Sequence, residues 1–357
     1  METNKNLFID IHCLQTVPPS CINRDDTNAP KTCTYGGALR ARVSSQSWKR
    51  AVRMYFAENL DKDKVGMRTK LIVELIAEKI MELDPEMSEE KAMKMAKAAA
   101  GKVMKLKKAK DESGEEADIP DVLFFISHPQ AKALAELALA GETDGNAYKR
   151  AAAENPAIDM ALFGRMVASD PSLNYDATVQ VAHAISTHAV ENGYDYFTAV
   201  DDCKKSDSSG AGHIGSNEFN SSTLYRYATI NVGETIRLLG EEDGQTAIKT
   251  FIQGFVMSMP SGKQNGFANG TIPGGVYVTV RTDQPINLAG AFETPIVSDN
   301  GYLKASEQAL QTFSKQLYQD FVNAPEKEYS VGYEQGTRCN FAELLKNVSD
   351  DVSNYLN

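Results

Sequence analysis

Arg40, Arg42, Lys49, Arg50 and Arg53 fall in one stretch that contains no Asp or Glu, within a chain of 357 residues and formal charge -11. A cationic patch kept on an acidic background points to an anionic partner, and phosphate is the first candidate. The same stretch carries hydroxyl and amide groups at Ser44, Ser45 and Gln46. Ser44 and Ser45 are helix N-cap residue types, and Gln46 then falls in the first helical turn. The unpaired backbone N–H groups of such a turn, with the serine hydroxyls, make an anion site. Lys49 and Arg53 are four apart and share one helix face, while Trp48, Val52 and Phe56 share another and anchor the helix to a core. On charge alone, a solvated helix face is the competing interpretation.

Other residues could contribute. Asn23 and Arg24 sit in the loop after an alternating apolar run, Leu7 to Leu14, that reads as a strand. Asp25 and Asp26 in that loop read as turn caps, ion-pair partners or acids. A Gly-rich loop from Pro260 carries Lys263, which could meet phosphate or be a solvated surface lysine. It lacks the G-x-x-x-x-G-K-[ST] spacing and precedes a strand, which argues against an ATPase. Lys102, Lys105 and Lys108 recur every third residue, as on a helical stripe, with an acidic run from Asp111 that would offset them. His183 and His188 are five apart, do not stack on one helical turn and read as structural. The Gly/Ser/Asp-rich segment from Asp202 to Asn217 reads as a projecting hairpin or loop. Its Ile214 either folds back on the core or acts as an apolar wedge between stacked bases.

The elements that must position these groups follow from pattern. A helix is expected from Ser45 to about Asn59. A region rich in helix formers runs from about Asp63 to Arg150, broken at Asp111–Asp118 and Gly141–Gly145, with a short buried strand over Val122–Ile126. Strand-like runs return at Asp195–Val200, Tyr225–Val232 and Gly275–Val280. Strand and helix, a long helical stretch, then more strands imply an α+β core with a helical insertion. The length allows one to three domains. No apolar run approaches the roughly 18 residues of a membrane span. No signal peptide is visible, and the five cysteines are widely spaced without CxxC, so a cytoplasmic protein with reduced thiols and no zinc site is expected.

Several pieces, taken together and in order, resemble the CasC family, the backbone subunit of type I-E CRISPR Cascade. They are Pro19–Asp26, Tyr35–Gly37, Arg42–Arg50, Ala161–Met166, Gln180–His188, Asp195–Asp202, Phe219–Tyr227 and Pro260–Asn265. The resemblance runs from about Leu7 to Pro295, and the stretch from about Asp61 to Asn155 is carried by position only. It implies an RRM-like (ferredoxin-like) palm at about 1–60 and 170–357, helical fingers at 61–169 and a protruding thumb loop at 201–218. It implies a non-catalytic, RNA-binding chain that lines up in several copies, head to tail, on a CRISPR RNA (crRNA). The copies kink the guide at intervals and present it for pairing with a target DNA strand. Partners are then crRNA, target DNA, other copies of the chain and other Cascade subunits, with no cofactor and no membrane. Implied RNA contacts are Asn23, Arg24, Lys31, Arg42, Ser44, Gln46, Lys49, Arg50, Arg53 and Lys263, with Met166 and Ile214 flanking the kinked base. Charge alone nominates Lys102, Lys105 and Lys108 for target DNA. Two other classes stay open. One is an RNA-cleaving filament subunit using Asp25 or Asp26. The other is a solitary RRM-like protein, which should show aromatic RNP strands that Leu7–Leu14 lacks.

Overall fold

The computed structural model describes residues 6–110, 116–199 and 213–356. In chain order, β1 (Phe8–Ser20), β2 (Thr32–Tyr35) and β3 (Ala38–Val43) lead into α1 (Ser45–Asn59). Next come β4 (Met67–Thr69), α2 (Ile72–Leu83), α3 (Glu89–Val103), β5 (Leu106–Lys110), β6 (Glu116–Pro120) and β7 (Phe124–Ile126). Helices α4 (His128–Leu139), α5 (Gly145–Ala153) and α6 (Ile158–Phe163) precede β8 (Val179–Val181), β9 (Ala184–Ser186), β10 (Gly193–Ala199) and β11 (His213–Asn231). The last part holds α7 (Val232–Leu239), α8 (Glu241–Met257), α9 (Gln264–Phe267), β12 (Gly275–Arg281), α10 (Leu303–Asp320), β13 (Lys327–Val331), β14 (Thr337–Arg338) and α11 (Phe341–Leu356). The architecture is α+β, a central sheet with helical insertions. It forms two compact units, one of residues 1–52, 181–230 and 251–357, the other of residues 53–180 and 231–250.

The first unit holds the sheet, whose strand order is β14-β13-β12-β1-β11-β9-β3-β2. Its centre is β1, antiparallel to β12 from Phe8 opposite Arg281 to Leu14 opposite Gly275. The alternation in β1 separates two covered faces, because Asp10 and His12 are as buried as Ile9 and Ile11. One face is aliphatic. The other is a polar aromatic layer, where Tyr227 Oη donates to Asp10 Oδ1 (2.9 Å) and His12 Nδ1 meets Tyr225 Oη (2.9 Å). Burial raises the Asp10 carboxyl to about 6 and lowers the His12 imidazole to about 3. Buried polar groups of this kind hold only when paired.

A second buried feature holds the start of α1. Arg226 on β11 lies over the Trp48 ring, 3.7 Å from its centroid, and donates to Gln15 Oε1 (2.5 Å) and to the Phe255 carbonyl. Trp48 and Val52 are each 1% exposed, as their shared face requires.

The second unit is mostly helical. Ala92, Ala96, Ala99, Ala100 and Val103 make the buried stripe of α3, spaced by three and four, against Ile72, Ile76 and Ile80 of α2. Helix α4 opens with a capping box between Ser127 and Gln130. Three expectations are corrected here. Helix α3 ends at Val103 and β5 begins at Leu106, so Lys102, Lys105 and Lys108 form no helical stripe. The buried strand is only Phe124–Ile126, since Val122 and Leu123 are 70% and 58% exposed. Part of the expected polar break is strand β6. The unit also includes α7 and the first half of α8, which no sequence pattern tied to it. Among the described residues, no helix is long and apolar enough to cross a membrane.

Candidate nucleic-acid interface

The loop after β1 is tied to itself and to β3 by backbone hydrogen bonds, and to the start of α1 by the Asn23 side chain. Lys31 N donates to Asn23 O (2.9 Å) and Arg42 N to Lys31 O (2.9 Å). Asn23 Oδ1 in turn accepts from Ser44 N (2.9 Å). Asp25 folds the loop tip: its Oδ1 accepts from Thr27 N (2.9 Å), Thr27 Oγ1 (2.7 Å) and Ala29 N (3.0 Å). The Thr27 hydroxyl leads the causes that hold the Asp25 carboxyl below the usual range. Arg24 reaches back to Asn28 Oδ1 at 3.2 Å. The result is a small cleft of about 20 Å³ whose lining includes Asn23, Lys31, Arg42, Ser20, Asn220 and Ser222.

Helix α1 begins where the serines predict, with Ser44 O accepting from Trp48 N (3.2 Å). Its anion-binding end is partly used by the protein itself. Ser44 N is taken by Asn23, and Ser45 N donates to His183 Nδ1 (3.3 Å). Ser44 Oγ donates to Gln46 Oε1 (3.2 Å). The expectation of unpaired N–H groups is therefore corrected for these two residues, because loop and histidine cap them. Burial, then Arg42 and Lys31, keep the His183 imidazole below its ordinary value. Gln46 and Arg50 are exposed, while Lys49 is half-buried.

The first unit thus gathers Asn23, Arg24, Lys31, Arg42, Ser44, Gln46, Lys49 and Arg50 on one loop, one strand and one helix start. Arg40 leaves the group: it is 0% exposed and donates to the carbonyls of Tyr35 (3.2 Å), Ser186 (2.9 Å), Phe292 (2.9 Å) and Glu293 (3.2 Å). Arg53 belongs to the second unit, with Nε 2.7 Å from Asp159 Oδ2 and Nη2 3.1 Å from Gly66 O. Lys263 Nζ donates to Asn217 Oδ1 (2.7 Å). Met166 is 85% exposed, just beyond α6. Ile214 lies on the backbone of β11, and its side chain falls outside the described residues, as do positions 201–212 of the expected thumb loop. In the second unit, Lys102 Nζ donates to Glu142 O (3.1 Å) and Thr143 O (2.8 Å). Lys105 and Lys108 are exposed beside and on β5.

Sequence reasoning passed over an exposed aromatic set on β10. Tyr194 and Tyr196 are 68% and 66% exposed, and Phe197 is 38% exposed. The i, i+2 tyrosine spacing in a strand was the available signal. Among the described residues, no group of three or more His, Cys, Asp or Glu could hold a metal ion.

The family model described as CT1975-like protein matches residues 9–351. This chain belongs to the CT1975-like family. A solved chain of a "CRISPR RNA-guided surveillance complex, pre-nicking" is 33% identical to the CT1975-like chain, with TM-score 0.83, covering 97% of this chain and 100% of that one. A chain of a "CRISPR RNA-guided surveillance complex" is 29% identical, with TM-score 0.64, covering 96% and 99%. The sequence matches no curated protein. These matches to the CT1975-like chain bear out the resemblance to the CasC family of Cascade backbone subunits.

Proposed function

We propose that this protein is a non-catalytic, RNA-binding backbone subunit of a type I-E Cascade surveillance complex, lining a crRNA in a filament. One observation carries the proposal: the chain matches a subunit of an RNA-guided surveillance complex over 97% of its length and all of that subunit. The cationic loop and helix start supply the chemistry. Arg24, Lys31, Arg42, Lys49 and Arg50, with the polar groups of Asn23, Ser44 and Gln46, present donors to a phosphate chain without reading bases. Acidity elsewhere is no obstacle, because binding senses potential within a Debye length of about 8 Å.

The finer anatomy belongs to the same proposal. The central sheet is the RRM-like palm, the helical unit the fingers, and β10 with β11 the root of the thumb. The exposed thioether of Met166 is soft enough to lie on a base face. Pairing of the guide with target DNA, and head-to-tail contact with further copies, complete the reading. Asp25 speaks for a folded loop rather than for RNA cleavage, since one oxygen already accepts three hydrogen bonds.

The test is purification from cells that also express a CRISPR array and the other Cascade subunits. A large ribonucleoprotein holding one discrete guide RNA is expected. A free, RNA-less monomer under those conditions overturns the proposal.

A further inference from the structure

Strand β10 is an odd strand for a folded protein. Residues 194–199 are all exposed, and its partner is the first part of β11, from Gly193 opposite Phe219 to Ala199 opposite His213. A two-stranded ladder standing in water is marginal by itself. Something at its root must hold it.

The contacts at that root converge on the Gly-rich loop. Lys263 Nζ donates to Asn217 Oδ1 at 2.7 Å. Phe267 of α9 sets its ring 6.0 Å from that of Phe219. Phe219 in turn covers Gly193 across the ladder, where a Cβ would come within 2.8 Å of the ring. Further along the ladder, Phe197 covers Gly215 in the same way. Both pairs set an aromatic ring over a glycine, the device that restores packing where a glycine weakens a strand. Asn192 closes the base, donating to Glu218 Oε2 (3.1 Å) and accepting from Asn220 Nδ2 (3.1 Å).

The loop itself is fixed. A side chain at Gly262 would collide with the Ile22 carbonyl, so the loop lies directly on the chain leading into the cationic loop. Lys263 sits at φ 54, a left-handed conformation that a lysine keeps only when its surroundings demand it. An ordinary surface loop would favour glycine or asparagine there.

We infer that the loop from Pro260 to Gly270 is a brace for the β10–β11 ladder, with Lys263 and Phe267 as positioning residues. Lys263 acts through Asn217 and does not neutralise a phosphate. Resting on the proposed RNA-binding role, the brace sets the direction in which the ladder and its exposed tyrosines leave the sheet, and hence the spacing of kinks in the guide.

Amide hydrogen exchange on the full chain tests this, together with guide-RNA affinity of the assembled complex against salt. Lys263→Met and Phe267→Ala should each speed exchange over residues 193–199 and 215–219 by about tenfold, with β1 and β12 unchanged. Lys263→Arg should restore protection, and the salt slope of Lys263→Met should equal that of the wild type. Unchanged exchange in both variants overturns the brace. So does a salt slope smaller by about 0.7 in Lys263→Met, the signature of one phosphate fewer neutralised on a single strand. If exchange responds while even the wild type binds no guide, the brace stands and the RNA-binding proposal falls.

Discussion

The loop and helix start from Asn23 to Arg50 and the strand pair β5–β6 both concentrate cations on an acidic protein. Their neighbours differ. Among the described residues, Arg24, Lys31, Arg42 and Arg50 make no ion pair, and Asp25 in the same loop spends one oxygen on the loop itself. In the strand pair, register sets Lys108 opposite Asp118 and Lys110 opposite Glu116. Lys107 pairs with Asp121, and Lys97 reaches Asp118 at 2.7 Å. The Lys107 hydrogen bond, aided by Lys105 and Lys70, holds the Asp121 carboxyl below its usual range. A field that reaches a ligand depends on what remains after such pairing, so the number of cations alone does not set the potential. The first region is therefore the stronger candidate for a phosphate chain, and the target-DNA role expected for Lys102, Lys105 and Lys108 is the weaker proposal.

That contrast can be broken, and the largest effects come from two residues of α1 with buried partners, one in each unit. Trp48→Ala should cost about 3–5 kcal/mol in urea unfolding, because the indole fills the space under the start of α1 against Arg226. Arg53→Ala should cost a similar amount, about 3–5 kcal/mol, by leaving Asp159 buried without its cation. If Arg53→Ala instead leaves stability intact and weakens RNA binding, Arg53 belongs with the phosphate-binding residues.

Charge reversal sharpens the contrast more directly. Lys31→Glu with Arg42→Glu should lower guide-RNA affinity for every guide sequence and flatten its salt dependence by about 0.7 in slope for each phosphate no longer neutralised. Lys105→Glu with Lys108→Glu should leave that slope unchanged. Equal losses of affinity from both pairs, read in the same salt titration, would erase the distinction drawn above.

The smallest effect concerns pH and the buried layer under the sheet. Burial puts the Asp10 carboxyl at about 6, above the ~3.9 of an unfolded chain, so its contribution is full below about pH 4 and is lost as pH rises through 6. His12, lowered by burial to about 3 from ~6.5, contributes fully above that unfolded value and loses its contribution as pH falls. Between about pH 4 and 6 the two oppose one another. Asp10→Asn removes one of them, and its stability should fall more steeply on acidification than that of the wild type in unfolding curves across that window.

Particular residues show how much was legible beforehand. The start of α1 at Ser45 and the burial of Trp48, Val52 and Phe56 could be read directly, since cap chemistry and a spacing of four are local properties. The family could be read from ordered short motifs. The helical stripe expected of Lys102, Lys105 and Lys108 fails because the spacing of three runs on past the end of α3 at Val103 and into strand β5. Arg40 could not be told from Arg42 by type or spacing. Burial along a strand depends on what packs against each residue, and only the tertiary structure settles that. The exposed tyrosines of β10 were visible as letters, but their exposure depends on that strand leaving the sheet.

By itself the sequence determined what short-range physics controls. It set the α+β order of elements, the cap and apolar face of α1, the turn at Asp25 and a local excess of positive charge. The tertiary structure decided which of those charges stay exposed and which are taken up by the protein. It buried Arg40 among four carbonyls, gave Arg53 to Asp159, gave Lys263 to Asn217, and used His183 and Asn23 to cap the helix start. Each of these partners is distant in sequence or set by the strand register, and electrostatic and hydrogen-bonding partners are fixed by distance in space. No local pattern could have assigned them.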